Sequence, residues 1–128
     1  MVETCDYDKH RGIAEALCVR ALEGAVSLEK FHLDWPCRPE AGTYWQTLRD
    51  DLEDAITHAP GTWVGGKVDI DLWKRSYEYV VVYFHRKLLT SNVDPSKFLE
   101  LRAKALSGKR VSLSIVDDVI REAQVPAR

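Results

Sequence analysis

The sequence is poor in cysteine, with only Cys5, Cys18 and Cys37. Three is an odd number, and no pair has CxxC spacing, which argues against the dense disulfide framework of a small secreted domain. The expectation is three reduced thiols in a cytoplasmic protein. Long apolar runs are also missing. The central stretch, Val80 to Phe84, falls far short of the ~20 residues of a membrane span, so no membrane association is expected. Residues 1–12 hold Glu3, Asp6, Asp8, Lys9, His10 and Arg11 with no apolar run behind a basic start, and no secretion signal is expected. An excess of basic charge is absent too. Lys plus Arg is 18 against 20 for Asp plus Glu, a net charge of −2, which weakens the case for a general nucleic-acid binder. Internal repeats and low-complexity runs do not occur.

What is present is ordinary globular composition. The chain has 128 residues, 45% apolar and 30% charged, which suits one domain able to bury a core without staples. Gly24, the stretch 36–42, the stretch 60–66, Asp94-Pro95 and Gly108 punctuate it. Between them lie segments of helical length and period. From about Asp8 to Glu23, Ile13, Leu17 and Ala21 share a stripe with Ala14, Cys18 and Leu22. Asp6 or Asp8 can cap its start, and Gly24 suits its stop. Ser27 can cap a short helix carrying Leu28, Phe31 and Trp35, ended by Pro36. Thr43 and Gln46 match a capping box ahead of Tyr44, Leu48, Leu52, Ala55, Ile56 and Ala59. The stretch 59–70 reads as a loop that packs down through Trp63, Val64 and Val68.

Asp71 to Leu89 admits two periods. Trp73, Tyr77, Val80, Phe84 and Leu88 fit a helix, whereas Tyr77, Tyr79, Val81 and Tyr83 alternate as in a strand. Its length without a breaker favours one long central helix, with Tyr77, Val80 and Phe84 in the core. Asp94-Pro95 starts a further helix through Phe98, Leu101 and Ala105. Ser114 can cap a last one with Ile115, Val116, Val119, Ile120 and Ala123 inward. The fold expected is all-α, a compact bundle of five or six helices in one domain spanning 1–128.

Chemistry is harder to find. His10, His32, His58 and His85 lack the ligand spacing of zinc sites, so no metal is expected. No nucleophile elbow occurs. Gly61, Gly65, Gly66 and Lys67 only partly echo a phosphate loop, lacking the following Ser or Thr. No motif calls for a cofactor or names a catalytic residue. The strongest local feature is acidic: Asp50, Asp51, Glu53 and Asp54 fall within five residues beside Arg49. On a helix, Asp50 and Asp54 lie on one arc, Glu53 neighbours both and Asp51 lies nearer the other edge. Such a face is either solvated surface or a recognition surface for a basic partner. Lys97, Arg102, Lys104, Lys109 and Arg110 against Glu100 form a basic stretch elsewhere, so the protein has an acidic and a basic side. Of the four tryptophans, Trp73 belongs to the core by period, while Trp45, off the main stripe of its helix, and Trp63, in a loop, either pack loop onto helix or mark an interface.

Gly24-x-x-Ser27-x-x-x-Phe31, then Leu48-x-x-Asp51-Leu52-x-x-Ala55-Ile56, then an acidic helix start at Asp69 to Leu72, resembles the small helical immunity proteins of the colicin D type. The resemblance covers roughly residues 15–89. It rests on the spacing of common residue types, and it does not extend to the stretch 36–42, the tryptophans or the helices after Leu89. It implies a helical bundle presenting an acidic face to the basic RNA-binding cleft of a toxin nuclease. It would place Asp50, Asp51, Glu53 and Asp54 in that partner-binding role. The expected function is therefore a non-enzymatic interaction protein that neutralises a toxin. The alternative is a small helical enzyme or metal-binding protein. The sequence leaves the oligomeric state open.

Overall fold

A computed structural model describes residues 3–59, 69–108 and 110–124. The expected loop contacts of Trp63, Val64 and Val68 lie outside them. Among the described residues the chain forms seven α-helices: α1 (Tyr7–Leu22), α2 (Leu28–Asp34), α3 (Tyr44–His58), α4 (Ile70–Lys74), α5 (Tyr77–Thr90), α6 (Phe98–Leu106) and α7 (Leu113–Ala123). A single 3-10 turn, Pro95–Lys97, leads into α6. The all-α expectation holds, with one helix more than foreseen.

Local chemistry sets most boundaries. Asp6 caps α1 by accepting from the Lys9 N–H at 2.9 Å, and Ser27 caps α2 through the Lys30 N–H at 3.1 Å. At the end of α1, Gly24 sits at φ +70°, where a side chain would be strained. The Ala25 N–H reaches the Arg20 carbonyl at 2.9 Å and the Gly24 N–H reaches Ala21 at 3.1 Å. This paired closure satisfies carbonyls that the helix leaves without partners.

The extra helix comes from Ser76. Its hydroxyl donates to the Trp73 carbonyl at 2.8 Å and accepts from the Tyr79 N–H at 3.2 Å, so it ends one helix and caps the next. The Trp73 indole donates to the carbonyls of Ala21 and Leu22 at 3.1 and 3.2 Å, pinning α4 to the end of α1. The segment 71–89 is thus two helices. The break moves Tyr77 to the first turn of α5, where it is 47% exposed rather than core and its hydroxyl donates to the Leu106 carbonyl. Ile13 is likewise turned out, at 46% exposure. The last helix is capped by Ser112, not Ser114: the Ser112 hydroxyl accepts from the Ile115 N–H at 3.2 Å.

The core is one continuous set of buried side chains around α5, which packs against α1, α3, α4, α6 and α7. Val80, Val82, Phe84, Leu88 and Leu89 are buried there, facing Leu17 and Cys18 from α1, Leu48 and Leu52 from α3, and Val116 and Ile120 from α7. No helix of the described residues is long and apolar enough to cross a membrane.

Two of the three cysteines are paired, against the expectation of free thiols. Cys5 and Cys37 form a disulfide, while Cys18 is free and buried. The sequence separation of 32 hid the pair, because backbone pairing brings the two together. The Cys5 N–H reaches the Arg38 carbonyl at 3.1 Å, and the Arg38 N–H reaches the Glu3 carbonyl at 2.8 Å.

Phe84 is fully buried, so Phe84→Ala should cost ~3–5 kcal/mol in denaturant unfolding. Tyr77→Ala, at a half-exposed position, should cost well under half as much; equal losses would contradict the packing described.

Candidate functional site

The four carboxylates of α3 do not share one environment. The residues that face the core, Tyr44, Leu48, Leu52, Ala55 and Ile56, fix the rotation of the helix about its axis. That rotation leaves Asp50 and Asp54 exposed, a turn apart. Asp50 accepts from the Gln46 amide at 2.9 Å, and the Asp54 backbone carbonyl accepts from His58 Nδ1 at 2.8 Å. Glu53, half-exposed, lies 2.7 Å from His32 Nε2 on α2. The expected capping box is not formed. The Thr43 hydroxyl donates to the Glu40 carbonyl at 2.6 Å instead, and Gln46 is engaged with Asp50.

Asp51 points the other way. Its side chain is only 12% exposed and takes a two-pronged ion pair from Arg102 on α6, Nε to Oδ2 at 2.7 Å and the terminal nitrogen to Oδ1 at 2.8 Å. The same Oδ2 accepts from His85 Nε2 on α5 at 2.6 Å. His85 is fully buried, and its Nδ1 lies 2.8 Å from the Tyr44 hydroxyl. A carboxylate only accepts, so Nε2 carries the imidazole proton and Nδ1 accepts from the tyrosine O–H. Every polar group of the set therefore has a partner, as buried polar groups require.

The electrostatics follow from these contacts. Burial pushes the Asp51 carboxyl up, but the hydrogen bonds and charges of His85 and Arg102 outweigh it and hold the carboxyl below its ordinary value. Burial disfavours the imidazolium and pulls His85 below the ordinary histidine value, with Asp51 opposing and Arg102 assisting. The hydrogen bond to Asp51 raises the Arg102 guanidinium further, and burial holds the Tyr44 hydroxyl protonated. The resting set is Asp51 ionised, His85 neutral, Tyr44 neutral and Arg102 charged.

This quartet joins α3, α5 and α6 and has the ingredients of acid–base chemistry. It lacks access. Both ring nitrogens of His85 are engaged within the protein. Three surface grooves of about 450, 470 and 430 Å³ are lined by other residues. The quartet ties α3, α5 and α6 together through directional contacts. Among the described residues, no three His, Cys, Asp or Glu side chains gather as a metal site would need.

Sequence reasoning missed the quartet because its hydrogen-bonded pairs are 34 to 51 residues apart and no spacing rule joins them. One signal was available: His85, a polar residue in the middle of an apolar run, had to find a partner. Within the basic stretch, Arg102 is the counter-charge of Asp51, and Lys104 lies 3.8 Å from Glu122 on α7. The off-stripe Trp45 is buried, packed edge-on to His10 and Trp35.

A histidine of the unfolded chain gains a proton near pH ~6.5. His85 stays neutral to lower pH in the folded protein, so the unfolded state binds more protons below that point. Its stabilising contribution is complete above ~6.5 and is lost as pH falls. Asp51 adds a loss of the same sign below its unfolded value of ~3.9. Urea unfolding should therefore weaken from neutral to mildly acidic pH, and His85→Gln should reduce that slope. An unchanged slope would mean that His85 does not titrate as described.

No family model, curated protein or solved structure matches the chain.

Proposed function

We propose that this protein is a non-enzymatic interaction protein that neutralises a basic partner, in the manner of a toxin-inhibiting immunity protein. The observation that carries the reading is the outward row of Asp50 and Asp54 on a rotationally fixed helix, with Glu53 beside them. Carboxylates at fixed spacing can take the place of the phosphates that a basic nuclease cleft meets, and arginine forks in the cleft would set the register. A rigid helix loses little ordering entropy on binding. Asp51 contributes indirectly, by holding α3 through Arg102 and His85 rather than by touching the partner. The cytoplasm remains the proposed location. In that compartment a disulfide such as Cys5–Cys37 is transient and responsive to redox conditions.

The test recovers the bound partner from the native host and follows its binding to the purified protein by calorimetry. Replacing Asp50 and Asp54 together with Asn keeps the shape and removes two charges. Affinity should fall at least about tenfold, or ~1.4 kcal/mol. Raising the salt well above physiological levels should weaken binding of the unaltered protein, because screening acts within ~8–10 Å. Affinity indifferent to both changes would contradict the proposal.

A further inference from the structure

The N-terminal segment is held to α1 by the Glu3 carboxylate, 2.8 Å from Lys9 Nζ, and to the connection between α2 and α3 by contacts of which one is chemically reversible. Residues 3–5 lie along the connection between α2 and α3 through the two backbone hydrogen bonds between Glu3, Cys5 and Arg38 and through the Cys5–Cys37 bond. The Arg38 guanidinium adds a contact to the Thr4 hydroxyl at 3.2 Å. Beneath this segment lies His10, only 3% exposed. Its Nδ1 accepts from the Asp6 N–H at 2.9 Å, and its Nε2 faces the Glu3 carboxylate at 3.3 Å. The imidazole meets Trp45 edge-on, and Trp45 meets Trp35. None of these groups belongs to the quartet around Asp51.

We propose that Cys5–Cys37 is a reversible clip, opened by a dithiol reductant, that frees residues 3–5 from the connection between α2 and α3 and uncovers His10, against which Trp45 packs. Cys5 is the more accessible residue of the pair, half-buried where Cys37 is 3% exposed. A reductant thiolate attacks Cys5 Sγ, forming a mixed disulfide, and Cys37 leaves as a thiolate that takes up a proton. The second reductant thiol then displaces the Cys5 thiolate, which is protonated in turn. The protein gains two electrons and two protons, and the dithiol becomes a disulfide. Cys18 takes no part, since it is buried in the core with its thiol pushed far up by burial. The helical body does not depend on the clip, because its core is continuous around α5.

Amide hydrogen exchange on the purified protein, oxidised and then treated with dithiothreitol, tests this. Thiol counting under denaturing conditions should give one free thiol before reduction and three after. Exchange at the Cys5 and Arg38 amides should rise at least about tenfold, a change of ~1.4 kcal/mol in opening free energy, while Leu52 and Phe84 keep their protection. Acrylamide quenching of tryptophan should increase in parallel. Cys37→Ser should show the reduced pattern with or without reductant. Three free thiols in air-equilibrated protein would overturn the proposal. So would unchanged exchange at Cys5 and Arg38 after full reduction, or loss of protection at Leu52 and Phe84 along with them.

Discussion

Arg102 grips Asp51 with two nitrogens while His85 holds one of the same carboxylate oxygens, and much of the molecule's arrangement depends on that grip. A carboxylate on the inner edge of α3 would be costly to bury alone. Here the charge is met by a planar fork from α6, and its remaining capacity by an imidazole from α5. Tyr44, two turns away on the same face of α3, closes the set by donating to the other imidazole nitrogen. Three helices are thereby fixed in register by directional contacts, where apolar packing alone would tolerate sliding. Buried ion pairs do not always add stability over an apolar substitute, but they penalise any arrangement that separates the partners.

The outer surface of α3 follows from its inner one. With Asp51 drawn to Arg102 and the apolar stripe seated on α5, Asp50 and Asp54 have no freedom to turn inward. Glu53 is drawn sideways to His32, which ties α2 to the same helix. Arg20 and Lys30 in turn hold Asp34 at the same C-terminal end of α2. The acidic row is thus presented by a supported helix, and this links the core chemistry to the proposed recognition of a basic partner.

Much of the fold was legible in the sequence, because helices are written in local rules. The 3.6-residue stripes of α1, α3 and α5, the caps at Asp6 and Ser27 and the stop at Gly24 all depend on residues within a turn of one another. Where the reading failed, a distant contact or a competing local bond decided the outcome. Ser76 interrupts a segment whose hydrophobic period continues through the break, and the anchoring of Trp73 on α1 is invisible to periodicity. The Thr43 hydroxyl donates to the Glu40 carbonyl and does not accept from an N–H of the first turn. The Cys5–Cys37 bond and the Asp51 quartet join residues far apart in the chain, and only tertiary packing brings them together. The carboxylate run was visible as a run. Its division into one inward and three outward or sideways members required knowing where Arg102 and His85 lie.

The most direct test of this account compares two neighbouring substitutions of identical chemistry. Asp51→Asn removes the charge that Arg102 and His85 share, and should cost about 3 kcal/mol in denaturant unfolding, the lower end of the range for breaking a buried pair. Asp50→Asn removes an exposed charge on the next residue and should stay within ~0.5 kcal/mol of the parent. Comparable small effects from both would contradict the central role assigned to Asp51.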